Sequence, residues 1–308
     1  MPVAADTLSA ARKAGYYLAD LALRGLIGAA MAVPYRWRVP MMGWVVSRIA
    51  APLAGLRRRI RGNLALARPD LGRADVERLC RSVPDNAGRT LIEFYSGEEF
   101  LERARAAPLT GDGVEDFLEA RAAGRPVIFM SGHFGNYDAA RAKLFSMGHP
   151  MGAIYRRMAN PYFNTHYERA IKSVGEPMFE QGRRGMTHMV RHLKDGGIIA
   201  IAGDLFVQGG EELRFFGQPA VTSIVPAELA LRYGAAIFPL FGIRKENGLD
   251  FEVFMQKEIP HSDPLTMTQA INDGLETLVR AHMDQWFWVH RRWKPWLDRG
   301  LAAGALED

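Results

Sequence analysis

The chain has 308 residues, of which 48% are hydrophobic and 24% are charged, and its formal net charge is +5. This composition excludes a disordered protein and predicts a globular one with a sizeable core. The single cysteine cannot form an intramolecular disulfide, and no Cys/His spacing typical of a zinc site occurs, so we expect no metal. The basic charge suits an anionic partner, but there is no nucleic-acid-binding motif, so we expect no nucleic acid.

Two apolar segments open the chain. Residues 16–33 are rich in Leu and Ala, but Asp20 and Arg24 make them a poor transmembrane helix or signal peptide. Residues 41–56 are also apolar and lead into a basic cluster at residues 57–61, which would attract anionic lipid. We therefore predict that residues 1–65 form a helical segment that associates with an anionic membrane surface. An ordinary amphipathic surface helix is the alternative.

The rest of the chain, residues 66–308, alternates apolar runs with helical stretches. Five runs predict strands, at residues 126–130, 151–155, 198–202, 236–241 and 249–255. Strands that alternate with helices predict an α/β domain with a mostly parallel sheet flanked by helices. A long helix over residues 265–287 is expected to close this domain.

The most informative motif follows the first of these strands, where residues 131–138 are Ser-Gly-His-Phe-Gly-Asn-Tyr-Asp. His133 lies at the carboxyl end of the strand, where open α/β sheets bind ligands, and Asp138 lies in the first turn of the next helix. A carboxylate on one imidazole nitrogen leaves the other free to take a proton. We therefore predict that Asp138 orients His133 as a general base. A tight turn at Gly132 and Gly135 with a packing histidine is the simpler interpretation.

Two other predicted strands also end in polar residues, Arg156 and Asp204. Because parallel strands end at the same edge of a sheet, we expect both residues to lie near His133. Arg156 is a candidate for gripping a phosphate, with a structural salt bridge as the alternative. For Asp204, a substrate contact competes with a helix cap or an ion pair.

The C-terminal region is rich in tryptophan. We expect Trp286 and Trp288 to pack in the core, because helical spacing buries one face of the predicted helix. Trp293 and Trp296 lie among basic residues and suit a membrane-interface anchor.

Four sequence blocks, in order, resemble motifs of the bacterial lipid A biosynthesis lauroyl/myristoyl acyltransferases. The blocks are Gly-His-Phe-Gly-Asn-Tyr-Asp at 132–138, Tyr-Arg-Arg-Met-Ala-Asn-Pro at 155–161, Asp204 followed by Phe-Phe-Gly-Gln-Pro-Ala-Val-Thr at 215–222, and Gln-Trp-Phe-Trp-Val-His-Arg-Arg-Trp-Lys at 285–294. An upstream Arg-Gly-Asn-Leu at 61–64 also fits the family pattern. The matches extend from about residue 60 to residue 296, so the resemblance covers most of the chain.

The resemblance implies a glycerolipid-acyltransferase-like fold and an O-acyltransferase at the cytoplasmic face of the inner membrane. The acyl chain would pass from a thioester on acyl carrier protein to a hydroxyl of a lipid A precursor, without a cofactor. Backbone N–H groups of the turn at residues 132–135, or a nearby side chain, would bind the oxyanion. The implied catalytic residues are His133 and Asp138, and the implied substrate-binding residues are Gly135, Asn136, Arg156, Asp204 and Thr222.

Two departures from the family pattern leave the acceptor open. Asp138 stands where lipid A members usually carry Glu, and Asp204-Leu205-Phe206 stands where the family often shows Asp-Gln-Asp. Another glycolipid or an aminolipid, such as a phosphatidylinositol mannoside or an ornithine lipid, is therefore an alternative acceptor. A catalytically silent lipid-binding protein is an alternative of another class, which the intact His133–Asp138 motif disfavours. A thioester hydrolase would need a nucleophile or metal that the motif lacks.

Overall fold

A seven-stranded sheet lies at the centre of the fold in a computed structural model that describes residues 9–297. Its strands are β1 (Leu109–Thr110), β2 (Val127–Ser131), β3 (Met151–Tyr155), β4 (Met178–Glu180), β5 (Ile198–Ala202), β8 (Ala236–Arg244) and β9 (Phe251–Met255). They are ordered β1-β9-β8-β2-β5-β3-β4, and only the β8–β9 pair is antiparallel. The predicted mostly parallel sheet is therefore confirmed. Strands β6 (Glu211–Phe215) and β7 (Gln218–Thr222) form a separate antiparallel hairpin that the sequence pattern had not indicated.

Helices precede the sheet and then alternate with its strands. They are α1 (Ala10–Met31), α2 (Tyr35–Val45), a π-helical turn (Val46–Ala50), α3 (Ala51–Leu53), α4 (Leu56–Ala67), α5 (Arg73–Tyr95), α6 (Glu98–Ala106), α7 (Val114–Ala122), α8 (Tyr137–Ser146), α9 (Pro161–Val174), α10 (Arg183–Lys194), α11 (Val225–Tyr233) and α12 (Pro264–Ala281). N-cap residues determine where several helices begin. The side chains of Asn136, Asn160 and Asp263 cap α8, α9 and α12 by accepting backbone N–H groups.

Helices cover both faces of the sheet, and strand β2 shows why. Its side chains alternate, so that Val127 and Phe129 join one apolar cluster while Ile128 and Met130 join another on the opposite face. A strand that is buried on both faces needs the continuous apolar sequence seen here. The carboxyl edge of the sheet stays open, and polar residues follow the strands there.

The N-terminal helices α2 and α4 pack into the same body, through Val39 and Ile60 among others. Within residues 9–297 no single helix has the length and apolar composition to cross a membrane. Tyr35–Leu53 and Leu56–Ala67 meet these criteria only as a pair, and the two parts are bent by 86°. The division of the chain at residue 65 stays a prediction. The first eight and the last eleven residues of the protein lie outside the described part of the chain.

The C-terminal segment differs from the prediction of one helix over 265–287. Helix α12 ends at Ala281, and the chain then crosses the carboxyl edge of the sheet in extended and turn conformations. Three indoles explain the change, since Trp286, Trp288 and Trp293 are all fully buried in one aromatic cluster with Phe215. A straight helix could not turn all three rings into one cluster. Trp293 is therefore a core residue, and its prediction as an interface anchor was wrong.

Candidate active site

The carboxylate that contacts His133 belongs to Asp204. His133 Nδ1 lies 2.9 Å from Oδ1 of Asp204, and the backbone N–H of His133 donates to Oδ2 at 2.7 Å. Because a carboxylate only accepts, the ring proton lies on Nδ1 and leaves Nε2 free to take a proton. Asp204 is fully buried, whereas the His133 side chain is about one-third exposed. The arrangement is that of a general base with a buried orienting carboxylate.

The register of the sheet brings these two residues together. Strands β2 and β5 are parallel neighbours, and Ser131 pairs with Ala202 at their carboxyl ends. His133 and Asp204 each lie two residues further along and so face each other across the same step. The backbone N–H of Gly203 still donates to the carbonyl of Ser131 at 2.9 Å, which holds the two loops side by side.

The C-terminal segment completes the environment of the pair. The indole Nε1–H of Trp286 donates to Oδ2 of Asp204 at 2.9 Å, and the N–H of Phe287 donates to the carbonyl of His133 at 2.9 Å. Asp204 therefore accepts three N–H groups. Such a carboxylate is held in one orientation and strongly favours its charged form. The prediction that Trp286 packs in the core is confirmed, but sequence reasoning missed its contact with Asp204, although a buried indole N–H must find a partner.

The same contacts set the protonation behaviour of the pair. Burial alone would raise the pKa of Asp204, but His133 and the hydrogen bonds from it lower that pKa well below its usual range. Burial alone would lower the pKa of His133, but the charge and hydrogen bond of Asp204 raise it above its ordinary value. His133 is therefore a stronger base than a free imidazole while Asp204 stays ionised.

The predicted pairing of His133 with Asp138 is corrected by the structure. Asp138 is fully buried in the first turn of α8 and forms an ion pair with Arg141, three residues on. Residues at i and i+3 are neighbours on a helix, whereas the imidazole lies on the preceding loop. Arg141 also donates to the carbonyls of Ile171 and Gly175, at 3.0 and 2.7 Å. Asp138 thus takes part in joining α8 to α9, and no hydrogen bond connects it with His133.

Asn136, a predicted substrate-binding residue, is also buried and structural. Its side chain accepts the N–H of Asp138 at 3.0 Å and donates to Glu93 at 2.7 Å. Glu93 in turn forms a buried, two-pronged ion pair with Arg244 of β8. This network joins the His133 loop to α5 and to the sheet. It holds the His133 loop in place, and the Asn136 amide is buried within it.

Gly135 lies in the left-handed region of backbone conformation, which favours glycine, with φ of 51°. A Cβ there would lie 2.0 Å from the carbonyl oxygen of Gly242. The reverse also holds, since a Cβ on Gly242 would lie 2.0 Å from the carbonyl oxygen of Asn136. The loop therefore lies directly against β8, and Gly135 brings its backbone to the wall of a cavity.

The predicted oxyanion site in the turn at residues 132–135 is mostly occupied. The N–H groups of His133, Phe134 and Gly135 already donate to Asp204, to the carbonyl of Gly132 and to the carbonyl of Gln285. Each of these three donors would have to give up a hydrogen bond in order to bind substrate. The structure therefore does not support these backbone groups as a preformed oxyanion hole.

A second histidine, His290, lies against the base. The two ring centroids are 4.3 Å apart, and burial lowers the pKa of His290 to about 4. Its Nε2 is buried and has no hydrogen-bond partner. Together with His133 and Asp204 it places possible metal-ligand atoms within 4.8 Å of one another. Both oxygens of Asp204 already accept N–H groups, however, so the geometry suits a proton-transfer site better than a metal site.

Two cavities meet at His133. The α5 cavity, about 220 Å³, lies between α5 and the C-terminal segment, and the sheet cavity, about 270 Å³, lies between the β2–β5–β3 strand ends and helices α8 and α9. Both are mainly apolar, and both are lined by His133, Tyr137, Phe94 and Tyr167. These volumes are below those of cavities that enclose a whole ligand, so each suits a part of a substrate, such as an acyl chain.

The other predicted site residues fall into two groups. Arg156 is exposed and lines the sheet cavity, as expected for a substrate contact. Thr222 is buried, lines neither cavity, and accepts from the guanidinium of Arg292 at 2.6 Å. Burial lowers the pKa of Arg292 to about 10, and this side chain ties the C-terminal segment to β7. The structure thus places Thr222 against Arg292 and Asp204 against His133, and their roles as substrate contacts stay predictions.

A histidine–carboxylate pair between two mainly apolar cavities suits an enzyme that acts on lipid-like substrates. The family model described as bacterial lipid A biosynthesis acyltransferase matches residues 7–295 of the chain. The chain belongs to this family of lipid acyltransferases, which confirms the resemblance found in the sequence.

Curated relatives agree with this family but differ in their named activities. A phosphatidylinositol mannoside acyltransferase of Mycobacterium tuberculosis (strain CDC 1551 / Oshkosh) is 23% identical over 221 residues, which is 70% of each chain. Lipid A biosynthesis acyltransferase 2 of Shigella flexneri is 24% identical over 280 residues, or 86% of each chain. A lipid A biosynthesis acyltransferase of Haemophilus influenzae is 23% identical over 180 residues, 58% of this chain and 56% of that protein.

Proposed function

We propose that the protein transfers a fatty acyl chain from a thioester on acyl carrier protein to a hydroxyl of a lipid A precursor. The observation that carries the proposal is that His133, with Asp204 behind it, lies on the walls of two apolar cavities at once. An acyl transfer between two lipid-like molecules needs a base at the point where the two meet.

The reaction follows from the free Nε2 of His133. This nitrogen takes the proton of the acceptor hydroxyl as the oxygen attacks the thioester carbonyl, and Asp204 stabilises the imidazolium that forms. The tetrahedral intermediate then expels the thiolate, which takes the proton back from His133. One C–O bond forms and one C–S bond breaks, so the base is regenerated without a covalent acyl-enzyme.

We assign the acyl chain of the donor to the sheet cavity. Its deeper wall is formed by apolar side chains, among them Phe129, Met151, Ile171 and Leu240. The α5 cavity carries amide and hydroxyl groups from Asn86, Thr90 and Gln285 beside its apolar wall. Such mixed lining suits the sugar and proximal chain of a glycolipid acceptor.

A direct transfer assay tests the proposal. Purified protein, lauroyl or myristoyl thioester and a lipid A precursor should yield a product one acyl chain heavier by mass spectrometry. The His133→Ala variant is the matched control and should yield almost none. Release of free fatty acid without acyl transfer would instead support a thioester hydrolase, and no reaction with any lipid hydroxyl would contradict the proposal.

A phosphatidylinositol mannoside is the second candidate acceptor, because relatives named for that activity cover 70% of the chain. Both acceptors are glycolipids that carry hydroxyl groups and anionic phosphate, so the base and the cavities suit either one. Running the transfer assay with the two acceptors in competition measures the ratio of their kcat/KM values, which is the physical definition of specificity.

We propose that the protein works on the cytoplasmic face of the inner membrane and contacts the bilayer through its N-terminal helices. Trp37, Met41 and Trp44 recur at i, i+4 and i+7 of α2 and are all exposed, and Leu53 beyond them is 84% exposed. Apolar stripes of this kind on a surface helix insert into the interfacial region of a bilayer. In the predicted basic cluster, Arg58 and Arg59 are exposed.

Replacing Trp37, Trp44 and Leu53 together by serine should abolish most binding to anionic vesicles in a sedimentation assay. These side chains are exposed, so the fold should be preserved while the apolar area available to the bilayer falls. A matched control replaces Leu118, Leu231 and Leu265, which are exposed on other helices, by serine. Equal vesicle binding by both triple variants would contradict this docking surface.

A further inference from the structure

The outer edge of the sheet beside the active site carries four exposed arginines. Arg156 and Arg157 directly follow β3, and Arg183 and Arg184 begin α10 after the two residues that follow β4. The two loops are joined, because the backbone N–H of Gln181 donates to the carbonyl of Tyr155 at 2.8 Å. These four residues are called the β3–β4 arginine edge below.

The fold itself does not use these side chains. All four are exposed, and none of them forms an ion pair with any residue between 9 and 297. Arg183 and Arg184 also occupy the first turn of α10, which has no acidic residue and no side-chain cap. Cations at a helix N-terminus oppose the helix dipole, so this placement costs stability. An anionic partner outside the fold would explain the placement.

Charge and exposure indicate what kind of partner fits. Residues 156–194 contain eight Lys and Arg against three Glu, so this stretch alone has a net charge equal to the +5 of the whole chain. Between residues 156 and 204 the one exposed large hydrophobic side chain is that of Met158, next to Arg157. A bilayer-binding surface combines basic and apolar groups, as α2 and its neighbours do. A predominantly basic surface with one exposed large hydrophobic side chain suits a soluble acidic macromolecule better than a bilayer.

The position of the edge connects it to catalysis. Arg156 belongs to the edge and also lines the sheet cavity, whose wall includes His133. A partner held on the four arginines therefore lies at the side of the cavity assigned to the donor chain. We propose that the β3–β4 arginine edge docks an acidic carrier protein that presents its acyl thioester to this cavity. The proposal rests on the proposed acyltransferase function and adds the surface that receives the donor.

The test reverses charge at the edge in the full-length protein. In Arg183→Glu/Arg184→Glu, the new carboxylates suit the helix N-terminus, so the variant should fold. The KM for lauroyl acyl carrier protein should rise by about tenfold or more, as expected when electrostatic complementarity is lost. The KM for lauroyl-pantetheine, a donor without the protein, should stay unchanged. In the wild type, kcat/KM for the carrier-bound donor should fall as salt is raised.

A matched control makes the same change in charge at the other end of the same helix. Arg191→Glu/Lys194→Glu alters the last turn of α10 and should leave both KM values close to wild type. Equal effects of the two double variants would show that net charge matters rather than the edge. An equal rise in KM for the protein-free donor would also overturn the docking proposal, because the edge would then act on the thioester itself.

Binding measured without turnover separates this proposal from the proposed function. In the His133→Ala background, calorimetric titration with lauroyl acyl carrier protein should detect binding that Arg183→Glu/Arg184→Glu removes. Absence of transfer from every donor would contradict the acyltransferase function while leaving the binding result interpretable. If Arg183→Glu/Arg184→Glu instead lost binding to phosphatidylglycerol vesicles and kept binding to the carrier protein, the carrier assignment would be overturned in favour of a membrane contact.

Discussion

Replacing His133 by alanine should lower turnover of acyl transfer by about 10²–10⁴, the usual range for the loss of a general base. The side chain is part-exposed and its ring packs mainly against His290 and Tyr137, so folding should be little affected. Because the imidazole acts on the acceptor hydroxyl in the transition state, kcat should fall far more than KM rises. Initial rates with saturating donor thioester measure this effect. A variant with near-normal turnover would return His133 to a packing role.

Replacing Asp204 by asparagine should cause a loss of similar size and also move the pH profile. Activity requires neutral His133, so the wild-type acid limb should lie above the ordinary imidazole pKa of about 6.5. Without the carboxylate, burial alone acts on the ring and lowers its pKa. The acid limb of kcat/KM should therefore shift to lower pH while the plateau falls, because the imidazolium is no longer stabilised.

The Asp204→Asn change should also destabilise the fold, so activity has to be measured on folded protein. Both carboxylate oxygens of Asp204 accept N–H groups. In the variant the asparagine NH2 group would face one of these N–H donors, which should lower the free energy of unfolding by about 1–3 kcal/mol. Rates should be compared at a temperature at which both proteins are folded. The double variant with His133→Ala should be hardly slower than the worse single variant, since the two residues act as one unit. Multiplicative losses would contradict the pairing.

The Asp138→Asn variant is the matched control for Asp204→Asn. The sequence motif favours Asp138 as the carboxylate that orients His133, whereas the structure favours Asp204. Removing the charge beside buried Arg141 should lower the free energy of unfolding by about 3–5 kcal/mol, the cost of leaving one partner of a buried ion pair. The acid limb of the pH profile, measured on folded protein, should not move, since the charge that raises the pKa of His133 is that of Asp204. A shifted acid limb in Asp138→Asn with normal stability would restore the motif-based assignment.

The local sequence predicted the elements that depend on near neighbours. The strands at 151–155 and 198–202 and the helix at 161–174 agree with the observed bounds, because apolar periodicity and a capping Asn160 specify them locally. The meeting of His133, Arg156 and Asp204 at one edge of the sheet is also confirmed for their strands, since β2, β5 and β3 are parallel and adjacent. The likeness of the fold to glycerolipid acyltransferases stays a prediction.

The sequence could not specify which carboxylate contacts the base. The five-residue spacing between His133 and Asp138 made them appear to be partners, but helix α8 directs Asp138 to Arg141. The pairing with Asp204, 71 residues away, depends on the register of β2 against β5, which no local pattern encodes. In the same way, the end of α12 at Ala281 depends on a cluster in which distant Phe215 packs against Trp293.

The sequence by itself therefore determined the family and the fold class and predicted His133 as the base, because these depend on ordered motifs and on hydrophobic periodicity. Only the tertiary structure decided that Asp204 contacts both His133 and Trp286 and that Asp138, Asn136 and Thr222 are buried. It also decided that Arg156 and Arg183 share one edge. The physical reason is the same in each case: strand register and burial bring together side chains that are far apart in the chain.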